Sequence, residues 1–360
     1  MPKNFNRIIP VILTISFVLL FGCNISPTKK VESNDAYAVD YEKQILTIST
    51  FNSNGIGSIY AFDCKNEKVK PLLTDRQVMV NGRLNSNGSK LIYSDAIGNS
   101  PWDIYLLNLK NKDVQKVTND KIGQFKACFG DITDNIIYVQ AGGKDSPVPR
   151  IAKIDIKNNR SEYLTIFDDN DCAIGSFDIL DSKMIILTYS YKKDVERHEE
   201  KSAKKLKGLP TMLYKIYEMN LETEELIEVV CIDAQRIETI SWSADNNEAI
   251  ISGAGVYNTK GAGFYKINVH EKITRQLLSE NDLRKTKKIE RLASPYTLCM
   301  SIDCKKIYFS AVPAGVEIVN IAGIIYYPSY LYSYDLRNNL LKEVFNEPNS
   351  FITALSTTYQ

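Results

Sequence analysis

Histidine and tryptophan are nearly missing from this 360-residue chain, which has two of each. Metal clusters and triads built on imidazole therefore have almost no material, since such sites draw on several histidines or on one beside a nucleophile. A surplus of either charge is also lacking: 44 basic residues stand against 43 acidic ones, a formal net charge of +1. That balance argues against nucleic-acid binding, which needs a basic excess to neutralise phosphates. No G-x-S-x-G elbow, CxxC pair or zinc-type spacing occurs, so hydrolase and zinc-site signatures are absent. What is abundant is apolar: 44% hydrophobic residues with 24% charged exclude disorder and coiled coil and suffice for a large core.

The longest apolar run, Ile8 to Phe21, follows Lys3 and Arg7. It falls short of the roughly 20 residues that span hydrocarbon, and a charged region followed by an apolar one reads as a signal peptide. The closing string Leu20-Phe21-Gly22-Cys23 resembles the lipobox of bacterial lipoproteins. The resemblance implies cleavage after residue 22, lipidation of Cys23 and residence at the cell membrane on its extracytoplasmic face. Removing residues 1–22 takes two cations away, leaving 42 basic against 43 acidic residues. Two acyl chains suffice for stable anchoring, and the polar stretch 24–43 reads as a flexible tether. The other six cysteines form no recognised spacing; several fall within strand patterns and read as small buried hydrophobes, with disulfides the alternative in an extracytoplasmic setting.

Internal repetition carries the fold. Six segments alternate apolar and polar residues and close on Asp or Asn: SIYAFDC from Ser58, WDIYLLNL from Trp102, RIAKIDI from Arg150, LYKIYEMNL from Leu213, AGFYKINV from Ala262 and YLYSYDL from Tyr330. Each is followed by a polar turn and another strand pattern, and most are preceded by a pair such as GRLNSNGSKLIYS from Gly82 or LCMSIDCKKIYFS from Leu298. The unit is four antiparallel strands, a to d. Sheets of this kind bury their faces by stacking radially, so six units predict an all-β, six-bladed propeller over residues 44–360. The first unit has no strand a, and FITALSTTY from Phe351 fits that pattern. The C-terminal strand is expected to join the first blade and close the ring.

The segments LNSNGSKLIYSDAIGNSPWDIYLLNLKNKDVQKVTND from Leu84 and SWSADNNEAIIS from Ser241 resemble the TolB-like (WD40-like) β-propeller repeat. Asn87-Gly88 and Asp245-Asn246 stand where that repeat has its Asp-Gly corner. The resemblance implies a fold and leaves activity open.

Two links between strands b and c are long: Ser190 to Thr211 and Ala311 to Ser329. Both would project from one face, where a rigid scaffold carries binding loops. The first holds seven cations, among them Lys192, Lys193, Arg197, Lys204 and Lys205, against four acids. It reads as a helical docking element for an anionic surface, such as lipid headgroups or wall polymer, or as a solvated flap. The second is apolar, with Ile318, Ile321, Ile324, Tyr326 and Tyr327. It reads as a hairpin offered to a partner, or as packing against a neighbouring blade. Asp63, Asp155 and Asp335 end their strands as turn caps rather than a metal ring, and Trp102 and Trp242 read as packing residues. No catalytic residue, metal or cofactor is assigned. The functional expectation is a non-catalytic scaffold for protein or envelope polymer. Its rival is a carbohydrate- or lactone-active enzyme using channel carboxylates, with or without a divalent metal.

Overall fold

The computed structural model describes residues 44–96, 102–119, 122–131, 133–143, 146–164, 170–244, 247–321 and 324–359. The expected signal peptide, Cys23, the expected tether and the Asp245-Asn246 corner lie outside the described residues, as do the side chains of Ile321 and Ile324. No described helix is long and apolar enough to cross a membrane.

Six antiparallel sheets of the expected a–b–c–d order follow one another along the chain. Blade 1 is completed by the C-terminal strand Ser350–Tyr359, which pairs antiparallel with Gln44–Asn52 from Gln44↔Tyr359 to Asn52↔Ser350. The ring is thus closed by hydrogen bonds between its two chain ends. Strand a of blade 6 is broken into Ile289–Leu292 and Leu298–Met300 by a loop containing a cis Ser294-Pro295 bond.

Each inter-blade interface has its own apolar cluster, so six clusters match six interfaces. Strand b of blade 4 shows the cause. Met184 and Ile186 face blade 3, whereas Ile185 and Leu187 face blade 5, and all four are fully buried. The period-two pattern therefore does not mark a half-buried sheet: strand b is covered on both sides, whereas strands nearer the rim expose some positions, as Leu213 in Met212–Asn220 and Leu340 in Leu340–Phe345 do.

The turns after strand c repeat in all six blades. Asp63, Asn108, Asp155, Asn220, Asn268 and Asp335 each accept backbone N–H bonds from residues two or three further on, at 2.8–3.4 Å. Four residues after each, the chain turns through positive φ at Glu67, Lys112, Asn159, Glu224, Lys272 and Asn339. These Asx turns explain the recurring Asp or Asn. Bonds from Asn158 hold the Asp155 carboxyl below the usual range, and those from Asn338 and Arg337 do the same for Asp335.

Candidate functional site

Register fixes which loops share a face. Gln44 lies beside Tyr359, and Ile45 beside Asp63, so the chain enters the propeller on the face of the a–b and c–d turns. The two long b–c insertions stand on the opposite face.

The first insertion is helix α1, Tyr191–Lys204, ending at Lys205 in the left-handed conformation. Ser190 caps it by accepting from the Lys193 N–H at 3.1 Å, and Asp171 accepts from Ser190 Oγ and the Lys192 N–H. Of the basic residues expected on a docking surface, Lys192, Lys193 and Lys205 are exposed, and Lys204 pairs with Glu200 at 2.8 Å. Arg197 is placed differently. It is 6% exposed, binds Asp194 at 2.6 and 2.8 Å, and donates to the Tyr214 hydroxyl and to the Pro210 and Gln235 carbonyls. It pins α1 to strand c and to the link into blade 5 instead of facing a partner. A guanidinium suits this because its planar fork reaches several acceptors at once.

The second insertion contains the hairpin Val319–Ile321 and Ile324–Tyr326. Tyr326 stacks on Phe351 of the closing strand at 4.8 Å and 6°, and Arg291 lies 3.7 Å over the Tyr327 ring. Both tyrosines therefore hold the hairpin down across the seam of blades 6 and 1. Ile318 and Ile325 remain more than half exposed. The alternatives divide by residue: the tyrosines pack, and Ile318 and Ile325 face solvent.

At the other end, a polar cluster joins all six innermost strands. Arg83 of blade 2 reaches across to Asp178 of blade 4, to Cys128 Sγ of blade 3 at 3.2 Å and to the Ile179 carbonyl at 2.8 Å. Asp178 also accepts from Ser241 Oγ at 2.8 Å and the Trp242 N–H at 2.9 Å in blade 5. The Tyr359 hydroxyl of blade 1 donates to the Met300 carbonyl of blade 6 at 3.3 Å and reaches that of Trp242 at 3.5 Å. Lys126 donates to the Phe177 carbonyl and to Ser176 Oγ at 3.2 Å. Burial pushes the Asp178 carboxyl up, but Arg83, Lys126 and the hydrogen bonds outweigh it, so it stays below the usual range. A carboxylate committed in this way ties blades together.

Histidines 198 and 270 sit on opposite faces, His198 in α1 and His270 bonded to Asn247 at 3.1 Å. Among the described residues no group of three or more His, Cys, Asp or Glu is placed to hold a metal. Trp242 is fully buried, and Trp102 packs against Phe125 at 5.9 Å. Sequence reasoning passed over blade 5's own b–c loop, where Tyr257 stands 47% exposed. No periodic signal marks that residue in GAGVYNTKGAG.

No family profile and no curated protein matches this chain. Solved structures do. TolB from Acinetobacter baumannii aligns with a TM-score of 0.58 and 10% identity, over 88% of this chain and 67% of that one. A chain of a nidogen/laminin complex aligns at 0.57 and 8%, over 88% and 98%. A putative TolB from Agrobacterium tumefaciens aligns at 0.52 and 9%, over 88% and 99%. At these identities the likeness shows the fold, a TolB-like six-bladed propeller.

Proposed function

We propose that this chain is a membrane-anchored, extracytoplasmic lipoprotein whose propeller is a non-catalytic scaffold for a protein or envelope polymer. One observation carries the reading: both insertions rise from a single face, and the chain enters the propeller on the other. A tether of residues 23–43 would have a coil dimension of about 25 Å. Leaving from the entry face, it would set that face toward the bilayer and aim the insertions outward. The exposed lysines would then meet a partner rather than lipid headgroups. Chemistry in the channel has less support, because Asp178, a carboxylate at its entry end, is bound to Arg83 and Ser241. The nidogen/laminin structure is itself that of a protein complex, an instance of this fold in such an assembly.

The test has two arms. In a bacterial host, Cys23→Ala should move the chain from the detergent phase to the aqueous phase and abolish palmitate labelling. Retained labelling refutes the anchor. A pull-down from solubilised envelope should recover a partner with the intact chain and lose it with Lys192→Glu, Lys193→Glu, Ile318→Ser and Ile325→Ser combined. Undiminished recovery refutes the binding face.

A further inference from the structure

Beside α1, a patch on the rim of the insertion face combines strain, exposed apolar surface and cations. Val256–Asn258 forms a 3-10 turn in which Gly255, Tyr257 and Asn258 all have positive φ, at 64°, 48° and 62°. Glycine and asparagine tolerate this region, and tyrosine rarely adopts it. The strain raises the Tyr257 ring into solvent, its hydroxyl donating to the Cys231 carbonyl at 3.3 Å. Strained backbone that presents a side chain in this way is characteristic of binding sites.

The ring has apolar company. Leu206, 38% exposed, follows the end of α1. The Gln235 side chain joins the two segments: a Cβ at Gly208 would lie 3.4 Å from its amide, and one at Gly255 would lie 2.6 Å from its Cγ. Lys205 and Lys207 flank Leu206 and Lys260 follows Tyr257 by three residues; all three are exposed, and none is in an ion pair among the described residues. The acids of α1 are partly consumed, Asp194 by Arg197 and Glu200 by Lys204. Cations without partners around exposed apolar side chains complement a surface of the opposite charge, and an aromatic beside them is the usual anchor of a protein contact.

We infer that Leu206 and Tyr257, with Lys205, Lys207 and Lys260 beside them in the chain, form a docking patch for an acidic protein segment carrying apolar side chains. The inference rests on the binding role of the insertion face and names the partner's chemistry there. Tyr257 and Leu206 supply the contact area, and the lysines select charge and speed encounter.

The test is selection of random twelve-residue peptides displayed on phage against the full chain in detergent, followed by affinity measurement on synthetic peptides. Selected sequences should combine Asp or Glu with Leu, Ile or Phe. Binding should fall at least tenfold with Lys205→Glu/Lys207→Glu/Lys260→Glu and with Leu206→Ser/Tyr257→Ser, and should weaken as salt rises. Lys65→Glu/Lys110→Glu, on the entry face, should leave it unchanged. Thermal unfolding of each variant guards against misfolding, and the lysine substitutions carry the test if the Tyr257 variant unfolds. Basic or uncharged consensus sequences, no enrichment, or binding insensitive to the patch would overturn the proposal. So would charge-reversal-sensitive binding to phosphatidylglycerol vesicles without acidic peptides. Loss of peptide binding with Ile318→Ser/Ile325→Ser alone would overturn it and leave the face's binding role standing.

Discussion

Replacing Arg197 separates a structural pin from a contact residue. Arg197→Ala removes a guanidinium with five polar contacts and leaves behind the Asp194 carboxylate, the Tyr214 hydroxyl and two carbonyls. Breaking a fully buried pair costs about 3–5 kcal/mol. Asp194 is 15% exposed, so water recovers part of its solvation and the expected loss is about 3 kcal/mol. With a urea dependence of about 3 kcal/mol per molar, the unfolding midpoint should fall by roughly 1 M. Arg197→Ala/Asp194→Asn should regain about 1 kcal/mol or more, because the orphan charge is gone. The assay is urea unfolding followed by far-ultraviolet circular dichroism. A midpoint within 0.2 M of the parent, with partner recovery lost, would refute the pin and return Arg197 to the docking surface.

Removing residues 350–359 deletes the innermost strand of blade 1, the Phe351 stack under the hairpin and the Tyr359 bonds to blades 5 and 6. This loss exceeds the net stability of about 5–15 kcal/mol available to a domain, so the truncated chain should show no cooperative transition in calorimetry, and a normal endotherm would contradict ring closure. Asp178→Asn should destabilise the protein in a pH-dependent way. The folded carboxyl lies below its unfolded value, so its stabilisation is present above the unfolded pKa and fades as pH falls through the folded one. The stability gap between parent and variant should be widest near pH 7 and shrink below about pH 4. A gap independent of pH, measured by urea unfolding across that range, would show that Asp178 does not hold the cluster as a charge.

Strand order and ring closure were readable because six repeats in phase leave few topologies that bury every sheet. The Asp or Asn closing each strand c was readable for a local reason: the side chain caps its own turn. Arg197 was not, because a basic residue amid YKKDVERHEEK looks like solvated charge until Tyr214 and Gln235 are brought beneath it. The cross-channel cluster was equally hidden. Arg83 and Asp178 are 95 residues apart, and only radial closure sets them face to face. An apolar insertion was legible around Tyr326 and Tyr327, but that Tyr326 packs rather than faces a partner depends on Phe351, at the far end of the sequence. The exposed Tyr257 follows from a backbone conformation that its residue type disfavours, which no propensity would suggest.

The most direct test of the binding account is site-specific photo-crosslinking in native envelope. Photoreactive residues would replace Lys193, Ile318 or Ile325 on the insertion face, and Asn66, Asn111 or His270 on the entry face. The account predicts a discrete adduct from the insertion positions and none from the entry positions. Adducts from the entry face alone, or from no position, would contradict it.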